Sequence, residues 1–416
     1  MMKRIIMSRA WGIFCVFVCC AQIATAQDNR KRLGLDECVA LAVKQSYGMR
    51  AADKAVERAR LNQGTAWDVD KTEVSLAQDP TSGGSPDNAL SLSQTIDFPT
   101  LYISRRRQLK AETSAEQAKR EVTRKNVEAD VRRAYNRVLY QEECLRILSS
   151  QDSILTRYRM LAEKRYRAGE VRQLEVLAAE RLLGDCRAEK ASRKSEAETA
   201  ELLLGQLTGS DQPIAPVETT LIPLPFVLQD YNYPATAEGQ YASRRVEVAT
   251  KAVSVAKNGF APSLSLSLRN QMVLSGWNPY HQDRSRFDGG NFMGFEVGVG
   301  VPLFYGATRA KVKAARKEHE MAQLELEAQR QRGQLDYRAA LSRVNAARVR
   351  LEYYQDKGMR TADRQVELAS CEYDAGEIGY VEYVSVLQQC LDERLKAAAA
   401  IADYNDAVVE LQRVCE

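Results

Sequence analysis

Residues 165–177 read RYRAGEVRQLEVL, and residues 372–384 read EYDAGEIGYVEYV, half a chain later in a sequence of 416 residues. The two phrases share a tyrosine, an Ala-Gly-Glu triplet and a glutamate that follows the triplet's glycine at the same distance. The equivalent residues are Tyr166 and Tyr373, Ala168 and Ala375, Gly169 and Gly376, Glu170 and Glu377, and Glu175 and Glu382. A repeat on this scale indicates that half of the molecule was duplicated.

The sequence before each phrase predicts a long helix. Residues 102–166 contain neither proline nor glycine, and an uninterrupted helix of that length would extend about 95 Å. Four residues in this run follow one another at coiled-coil spacing: Val127, Val131, Ala134 and Val138. Gly169 suits a left-handed turn, so a second helix returns after it and completes a helical hairpin.

Two alternating segments precede each hairpin. Leu264, Leu266 and Leu268 alternate with serines, and residues 295–303 alternate large apolar residues with Glu, Gly and Pro. In the first half, four apolar residues share one strand face: Leu90, Leu92, Ile96 and Phe98. Strands of about ten residues with one apolar face and one small or polar face are typical of transmembrane β-barrels. One sheet of a soluble sandwich is the alternative, and its apolar face would be a core.

Both halves therefore predict the order helix, strand, strand, long helix, tip, helix. The first repeat is residues 27–209, with strands at about 66–78 and 89–98 and a hairpin at about 102–208 whose tip is 168–170. A proline-rich linker, 210–232, follows. The second repeat is residues 233–416. Its elements are a helix at about 235–258, strands at about 262–274 and 291–303, and a hairpin at about 307–413 whose tip is 375–377.

The N-terminus predicts export. Basic residues precede the short apolar run WGIFCVFVCCA at 11–21, and ATA ending at Ala26 is a signal-peptide cleavage site, so residues 1–26 are a signal peptide. Lipidation of Cys19 or Cys20 is disfavoured because neither follows a small residue. No later segment has about 20 consecutive apolar residues, as a transmembrane helix requires.

Catalytic, metal and nucleic-acid functions find little support. The sequence has two histidines and no G-x-S-x-G, H-E-x-x-H or phosphate-loop motif, so we expect neither an enzyme nor a metal or cofactor site. A net charge of +4 is too small to indicate nucleic-acid binding. The six cysteines after the signal either form disulfides, with 15 connectivities, or are small buried apolar residues on helices.

The strand count predicts an oligomer. Four strands cannot close a barrel, and an open edge in lipid leaves backbone polar groups unpaired. A dimer would supply eight strands and a trimer twelve. Eight-stranded barrels are filled by their own side chains, whereas wider ones enclose a channel. The small residues on the polar strand face favour the trimer.

Together these features resemble the TolC family of outer-membrane efflux proteins. The resemblance rests on the duplicated architecture, on SLSQTIDFP (91–99) and VGVGVPLFYG (297–306) at strand-to-helix junctions, and on the Y-x-A-G-E phrases. It implies a mainly α fold with a small β part: a homotrimer whose 12-stranded barrel lies in the outer membrane of a Gram-negative-type bacterium and continues as a periplasmic α-helical barrel. It also implies a passive export duct, coupled through a periplasmic adaptor (membrane fusion protein) to an inner-membrane pump.

The resemblance further implies roles at the tips. Six residues would form the periplasmic entrance and dock the adaptor: Ala168, Gly169, Glu170, Ala375, Gly376 and Glu377. Glu175 and Glu382 match an acidic position that contributes to constriction, and Glu382 would form the pore ring because the second hairpin is the inner one. Tyr373 matches a residue that hydrogen-bonds the neighbouring hairpin in the closed state, with Glu175 as its partner. Tyr383 belongs to the same gating group.

The sequence departs from the family pattern at two positions. Ile378 stands where better-studied members carry an arginine, and Ser385 stands where they carry a second acid. These departures put the family's closed-state lock in doubt here. A periplasmic coiled-coil adaptor or scaffold is the alternative function, but an adaptor normally has one hairpin and globular β domains, whereas this sequence has two hairpins and membrane-type strands.

Overall fold

The structure is a computed structural model that describes residues 30–79, 87–228, 230–272 and 291–416. The predicted signal peptide and its cysteines lie outside these residues. The helices are α1 (Leu35–Gln45), α2 (Tyr47–Asn62), α3 (Pro99–Arg167), α4 (Gln173–Thr208), α5 (Ala237–Lys257), α6 (Gly306–Tyr353), α7 (Met359–Ala375) and α8 (Tyr380–Cys415). The strands are β1 (Lys31–Leu33), β2 (Glu73–Asp79), β3 (Asp87–Asp97), β4 (Ile214–Pro216), β5 (Ser263–Met272) and β6 (Asn291–Gly300).

Two compact units contain the described residues. One comprises residues 30–49, 126–228 and 338–413, and it holds both hairpin tips. The other comprises residues 50–79, 87–125, 230–272, 291–337 and 414–416, and it holds the larger sheet. No helix in the described ranges carries an apolar stretch long enough to cross a bilayer.

The larger sheet is antiparallel, in the order β2-β3-β5-β6, so β3 and β5 join the two repeats. Cross-strand register places apolar residues in rows, one of which is Val74, Leu92, Leu268 and Phe295. Every member of this row is exposed, from 42% at Leu92 to 78% at Phe295. The face that a soluble sandwich would use as its core is therefore not covered by any of the described residues.

The opposite face of the sheet is tightly packed where small residues meet. Gly298 lies opposite Ser265, and Gly300 lies opposite Ser263. A methyl group on either glycine would collide with the serine hydroxyl across the ladder. These glycines therefore leave room for the serine hydroxyls of the neighbouring strand.

Three of the four strands of the larger sheet are shorter than the sequence predicts. The first begins at Glu73 rather than near 66, because Gln63–Trp67 forms a 3-10 turn in which the Thr65 hydroxyl donates to the Asn62 carbonyl at 2.7 Å. The last ends at Gly300 rather than 303, since Pro302 cannot donate to a ladder. The third begins at Ser263, and its predicted last residues, 273–274, lie outside the described ranges.

The unit with the tips has the predicted coiled-coil seam at its core. Val131, Ala134 and Val138 are buried against Leu204 of α4 and Ile214 of β4. Residues 214–216 fall in the predicted linker, but they form a parallel pair with β1. Three-residue strands carry too little periodicity to be predicted.

A π-helical segment, Tyr354–Gly358, interrupts the long helix of the second hairpin between α6 and α7. A Cβ on Gly358 would lie 2.9 Å from a ring carbon of Tyr354. The missing side chain at Gly358 thus leaves room for the tyrosine ring. The sequence predicted an uninterrupted helix here.

All six cysteines of the described chain are free thiols. Four of them are buried on helices: Cys38, Cys144, Cys186 and Cys390. Burial raises the pKa of the Cys38 thiol to about 11. The prediction of buried small apolar residues is confirmed for these four, whereas Cys371 is exposed.

Candidate functional site

The long helices of both repeats end in the same backbone turn. Gly169 has φ +78° and Gly376 has φ +77°, so both adopt the left-handed conformation that the sequence predicted. The Glu170 N–H donates to the Arg165 carbonyl at 2.9 Å, and the Glu377 N–H donates to the Glu372 carbonyl at 2.8 Å. This bond pattern is the Schellman motif, which usually requires glycine at the left-handed position.

The tip triplets are exposed in both hairpins. No atom lies within 4 Å of where a Cβ would stand on Gly169 or Gly376. The tips therefore offer accessible backbone and two carboxylates, those of Glu170 and Glu377, to a partner.

Glu175 and Glu382 begin the return helices α4 and α8. Both line one open cleft of about 940 Å³, which Leu174, Tyr380 and Val381 also line. Neither carboxylate has an ion-pair partner among the residues that the structure describes. Acidic residues in a first helical turn are favoured by the helix dipole, so their position alone has a structural explanation. The duplication by itself does not explain why both glutamates line the same cleft.

The equivalent tyrosines of the two repeats have different surroundings. Tyr166 is 43% exposed, whereas Tyr373 is only 6% exposed. The Tyr373 ring stacks on Tyr383, with centroids 4.7 Å apart and planes 9° apart. The guanidinium of Arg165 lies 5.1 Å above the Tyr373 centroid, a cation–π contact between the two hairpins.

Two further tyrosines complete this cluster, and the sequence analysis missed both. Tyr158 of α3 stacks on Tyr380 of α8, with centroids 5.2 Å apart. Tyr158 also meets Tyr373 edge-on at 6.0 Å. The i,i+3 spacing of Tyr380 and Tyr383 would have shown that they share a helix face. We call Tyr158, Tyr373, Tyr380 and Tyr383 the tyrosine cluster.

The hydroxyl groups of the tyrosine cluster lack the hydrogen bond that the family resemblance implied. Those of Tyr158, Tyr373 and Tyr380 are buried, and none has a hydrogen-bond partner within the described part of the chain. This structure of one chain does not contain the bond from Tyr373 to Glu175 that the resemblance implied for the closed state, and the Tyr373 ring packs into the cluster. Burial raises the pKa of Tyr158, and the neighbouring Tyr373 raises it further. Ile378, which replaces the family's arginine, packs against the same apolar core.

The described residues include no group of three or more His, Cys, Asp or Glu side chains that could hold a metal ion. The cleft and the tyrosine cluster thus present carboxylates, apolar side chains and aromatic rings.

Comparison with known proteins gives three results. No curated protein matches the sequence significantly. The family model described as outer membrane efflux protein matches residues 49–210 and 240–415, which covers both repeats. Several solved structures share the fold.

Three of these structures are outer-membrane proteins. The CmeC outer membrane channel of Campylobacter jejuni is 18% identical, with a TM-score of 0.72 over 93% of this chain and 85% of that one. The outer membrane protein VceC of Vibrio cholerae is 16% identical, with a TM-score of 0.72 over 92% and 95%. The MtrE outer membrane channel of Neisseria gonorrhoeae, in its open state, is 18% identical, with a TM-score of 0.70 over 94% and 93%.

The family model spans most of the chain, and it confirms the resemblance inferred from the duplicated phrases and strands. The chain belongs to the outer membrane efflux protein family.

Proposed function

We propose that this protein is a protomer of a homotrimeric outer-membrane duct, through which an export system moves its cargo passively. One observation carries the proposal: the chain exposes the apolar face of an open four-stranded sheet. An apolar face of this kind is stable in lipid, while water would penalise it by about 25 cal/mol for each Å² left exposed. The description of the family, outer membrane efflux protein, agrees with a place in the outer membrane.

The open sheet supports assembly of several copies. The outer edges of β2 and β6 have no strand partner within the described chain. Pairing β6 of one copy with β2 of the next is a head-to-tail contact, which can close into a ring. Three copies give twelve strands and a barrel wider than the self-filled eight-stranded type.

The oligomeric state tests this proposal directly. We expect the mature protein to require detergent for extraction from membranes, and light scattering to give the mass of a trimer. Far-UV circular dichroism should show a mainly helical protein with a minor β component. A monomer that stays soluble without detergent would contradict the duct, because its apolar sheet face would then need another cover.

At the tips, we assign the entrance and the adaptor contact. The exposed triplets at 168–170 and 375–377 offer rigid turns that a periplasmic adaptor would contact, and the adaptor in turn would connect the duct to an inner-membrane pump. Glu382 would form a ring of three carboxylates around the three-fold axis, with Glu175 beside it in the same cleft. Such rings attract cations and repel anions. Tyr373 and Tyr383 would fix the second hairpin through the tyrosine cluster.

Single-channel recording tests the carboxylate ring. Glu382→Gln should lower the ratio of cation to anion permeability, because it removes three charges from the constriction. Glu198→Gln, an exposed carboxylate of α4, is the matched control and should leave the ratio unchanged. If Glu382→Gln also left it unchanged, Glu382 would not line the narrowest part of the pore.

The alternative, an adaptor or scaffold, is not favoured. The family match covers both hairpins, and the exposed sheet face suits a membrane wall rather than a globular adaptor domain. A passive duct needs no catalytic group, because the partner pump supplies the energy.

A further inference from the structure

The two long helices leave the larger sheet at the same end. Asp97, Ser263 and Gly300 are in register across β3, β5 and β6. Helix α3 starts two residues after Asp97, and α6 starts soon after Gly300. We call residues 98–111, 258–260 and 301–317 the junction.

Side-chain hydrogen bonds and a contact between two rings connect the three segments of the junction. The Thr100 hydroxyl donates to Asn258 Oδ1 at 2.6 Å, and the Asn258 amide donates to the Ser104 hydroxyl at 2.9 Å. The rings of Phe260 and Tyr305 have centroids 5.9 Å apart. The starts of α3 and α6 are therefore held close to the 3-10 turn that leads into β5.

The junction carries a one-sided charge. Residues 98–111 contain four basic side chains and no acidic one, and residues 301–317 contain five and none. Two of the nine have ion-pair partners: Arg105 lies 4.0 Å from Asp97, and Lys317 lies 2.6 Å from Glu320. The other seven have none within the described part of the chain.

This charge does not help the helices to form. Arg309, Lys313 and Lys317 follow one another at i,i+4 spacing, so three cations lie along one face of α6. Like charges at this spacing destabilise a helix. Cations in the first turns also oppose the helix dipole. An anion outside the chain would offset both effects.

The residues around the basic side chains of the junction indicate which kind of anion would bind there. The exposed apolar sheet face ends at the junction, where Phe304 is 92% exposed and Ile103 is 44% exposed. Trp67 stacks on Tyr102, the residue before Ile103, with ring centroids 5.1 Å apart. Aromatic rings gather at the level of lipid headgroups, and basic side chains extend from apolar surroundings to reach them.

We propose that the junction binds the anionic phospholipid headgroups of the membrane leaflet on the helical side of the sheet. This inference rests on the proposed function, in which the sheet spans the outer membrane. Surface lysines and arginines near an anionic leaflet attract its lipids electrostatically. The bound lipids would fix the depth of the sheet in the bilayer.

Quenching of Trp67 by brominated lipids tests the proposal. In a Trp11→Phe/Trp277→Phe background, Trp67 is the only tryptophan. The full chain is reconstituted in mixed bilayers of phosphatidylcholine and phosphatidylglycerol, with one lipid brominated in one set of samples and the other lipid brominated in a second set. We expect Trp67 to prefer phosphatidylglycerol, and the preference to weaken as salt rises. Arg309→Gln/Lys313→Gln/Arg316→Gln removes three basic side chains without an ion-pair partner among the described residues, and it should reduce the preference by roughly fivefold for each removed charge at low salt.

A matched control lies further along the same helix. Arg332→Gln/Arg338→Gln/Arg343→Gln removes three exposed charges there and should keep the preference of the parent protein. The junction variant should melt in neutral detergent no lower than the parent, because it loses like-charge repulsion. Reduced lipid preference with unchanged melting supports the proposal.

Three results would overturn it. One is equal quenching by phosphatidylglycerol and phosphatidylcholine. Another is an equal loss of preference in the junction and control variants. The third is an unchanged lipid preference in a junction variant whose anion permeability falls, which would assign the charge to anionic cargo inside the duct. Failure of the proposed function looks different, because Trp67 would then be quenched by neither brominated lipid.

Discussion

At the scale of single residues, Gly376 shows how one backbone angle shapes the hairpin tip. Its φ of +77° costs an L-residue about 1–2 kcal/mol, while the space around its Cβ position is open. Gly376→Ala should therefore lower the free energy of unfolding by about that amount, through the backbone alone. Thermal and denaturant unfolding of the detergent-solubilised protein measures the change.

Gly184 provides the comparison for Gly376. It lies at an exposed position inside α4, with ordinary helical geometry and open space around it. Gly184→Ala should stabilise the protein by about 1 kcal/mol, because alanine favours the helix. If both substitutions changed the free energy of unfolding in the same direction, the left-handed turn would not determine the stability of the tip.

The cysteines allow a second prediction at this scale. Cys371 is exposed, whereas Cys38 is fully buried with a pKa raised to about 11, and nucleophilic attack requires the thiolate. In the native protein, Cys371 should react fastest with a maleimide, and Cys371→Ser should abolish this fast phase. After unfolding without reductant, all six mature thiols should react. Fewer than six would indicate disulfides.

At the scale of elements, the tyrosine cluster joins α3 to α7 and α8. Tyr158 is its centre and is 4% exposed. Tyr158→Ala should cost about 3–5 kcal/mol, as for other buried aromatic residues. Tyr158→Phe should change stability by less than about 1 kcal/mol, because the hydroxyl that it removes has no partner among the described residues.

The two Tyr158 variants separate ring packing from hydrogen bonding. Differential scanning calorimetry of the purified protein gives both changes under one condition. If Tyr158→Phe were as harmful as Tyr158→Ala, the hydroxyl would be bonded in the assembled protein. The cluster would then act as a polar lock rather than an apolar contact.

Long, periodic elements were predictable from the sequence, and short or tertiary ones were not. The seam at Val131 and Val138 and the turns at Gly169 and Gly376 follow from spacing and residue type, and the structure has all of them. The π segment at 354–358 depends on how one glycine meets a tyrosine ring, which no sequence period encodes. The tyrosine cluster was missed for a similar reason, since Tyr158 meets its partners from the other hairpin.

For the candidate site, too, the sequence predicted positions along the chain better than individual side-chain contacts. The sequence located the tip turns, and the structure adds that Glu175 and Glu382 line one cleft. The roles of these residues in docking and constriction stay predictions. The specific bond between Tyr373 and Glu175 came from the family resemblance alone. The single chain does not show this bond, because the Tyr373 ring is buried against Tyr383, and for the closed assembly the bond stays a prediction.

At the scale of the whole molecule, the two faces of the sheet must meet different media if the chain forms a membrane duct. Leu266 and Ser267 are neighbours on β5, and alternation places them on opposite faces. Leu266 pairs with Val297 on the apolar side, whereas Ser267 pairs with Glu296 on the polar side. One substitution introduced at each position therefore compares the two media at nearly the same depth in the sheet.

Arginine is the most informative substitution at these two positions. Leu266→Arg should cost about 2–4 kcal/mol of folding free energy in a bilayer, because the guanidinium would enter hydrocarbon. Ser267→Arg should cost much less, since its charge would enter the aqueous channel opposite the Glu296 carboxylate. Urea-dependent folding into phosphatidylcholine bilayers, followed by the mobility of the unheated trimer on gels, measures both. Equal losses would mean that neither face meets lipid, and a larger loss for Ser267→Arg would mean that the sheet packs with its polar side outward.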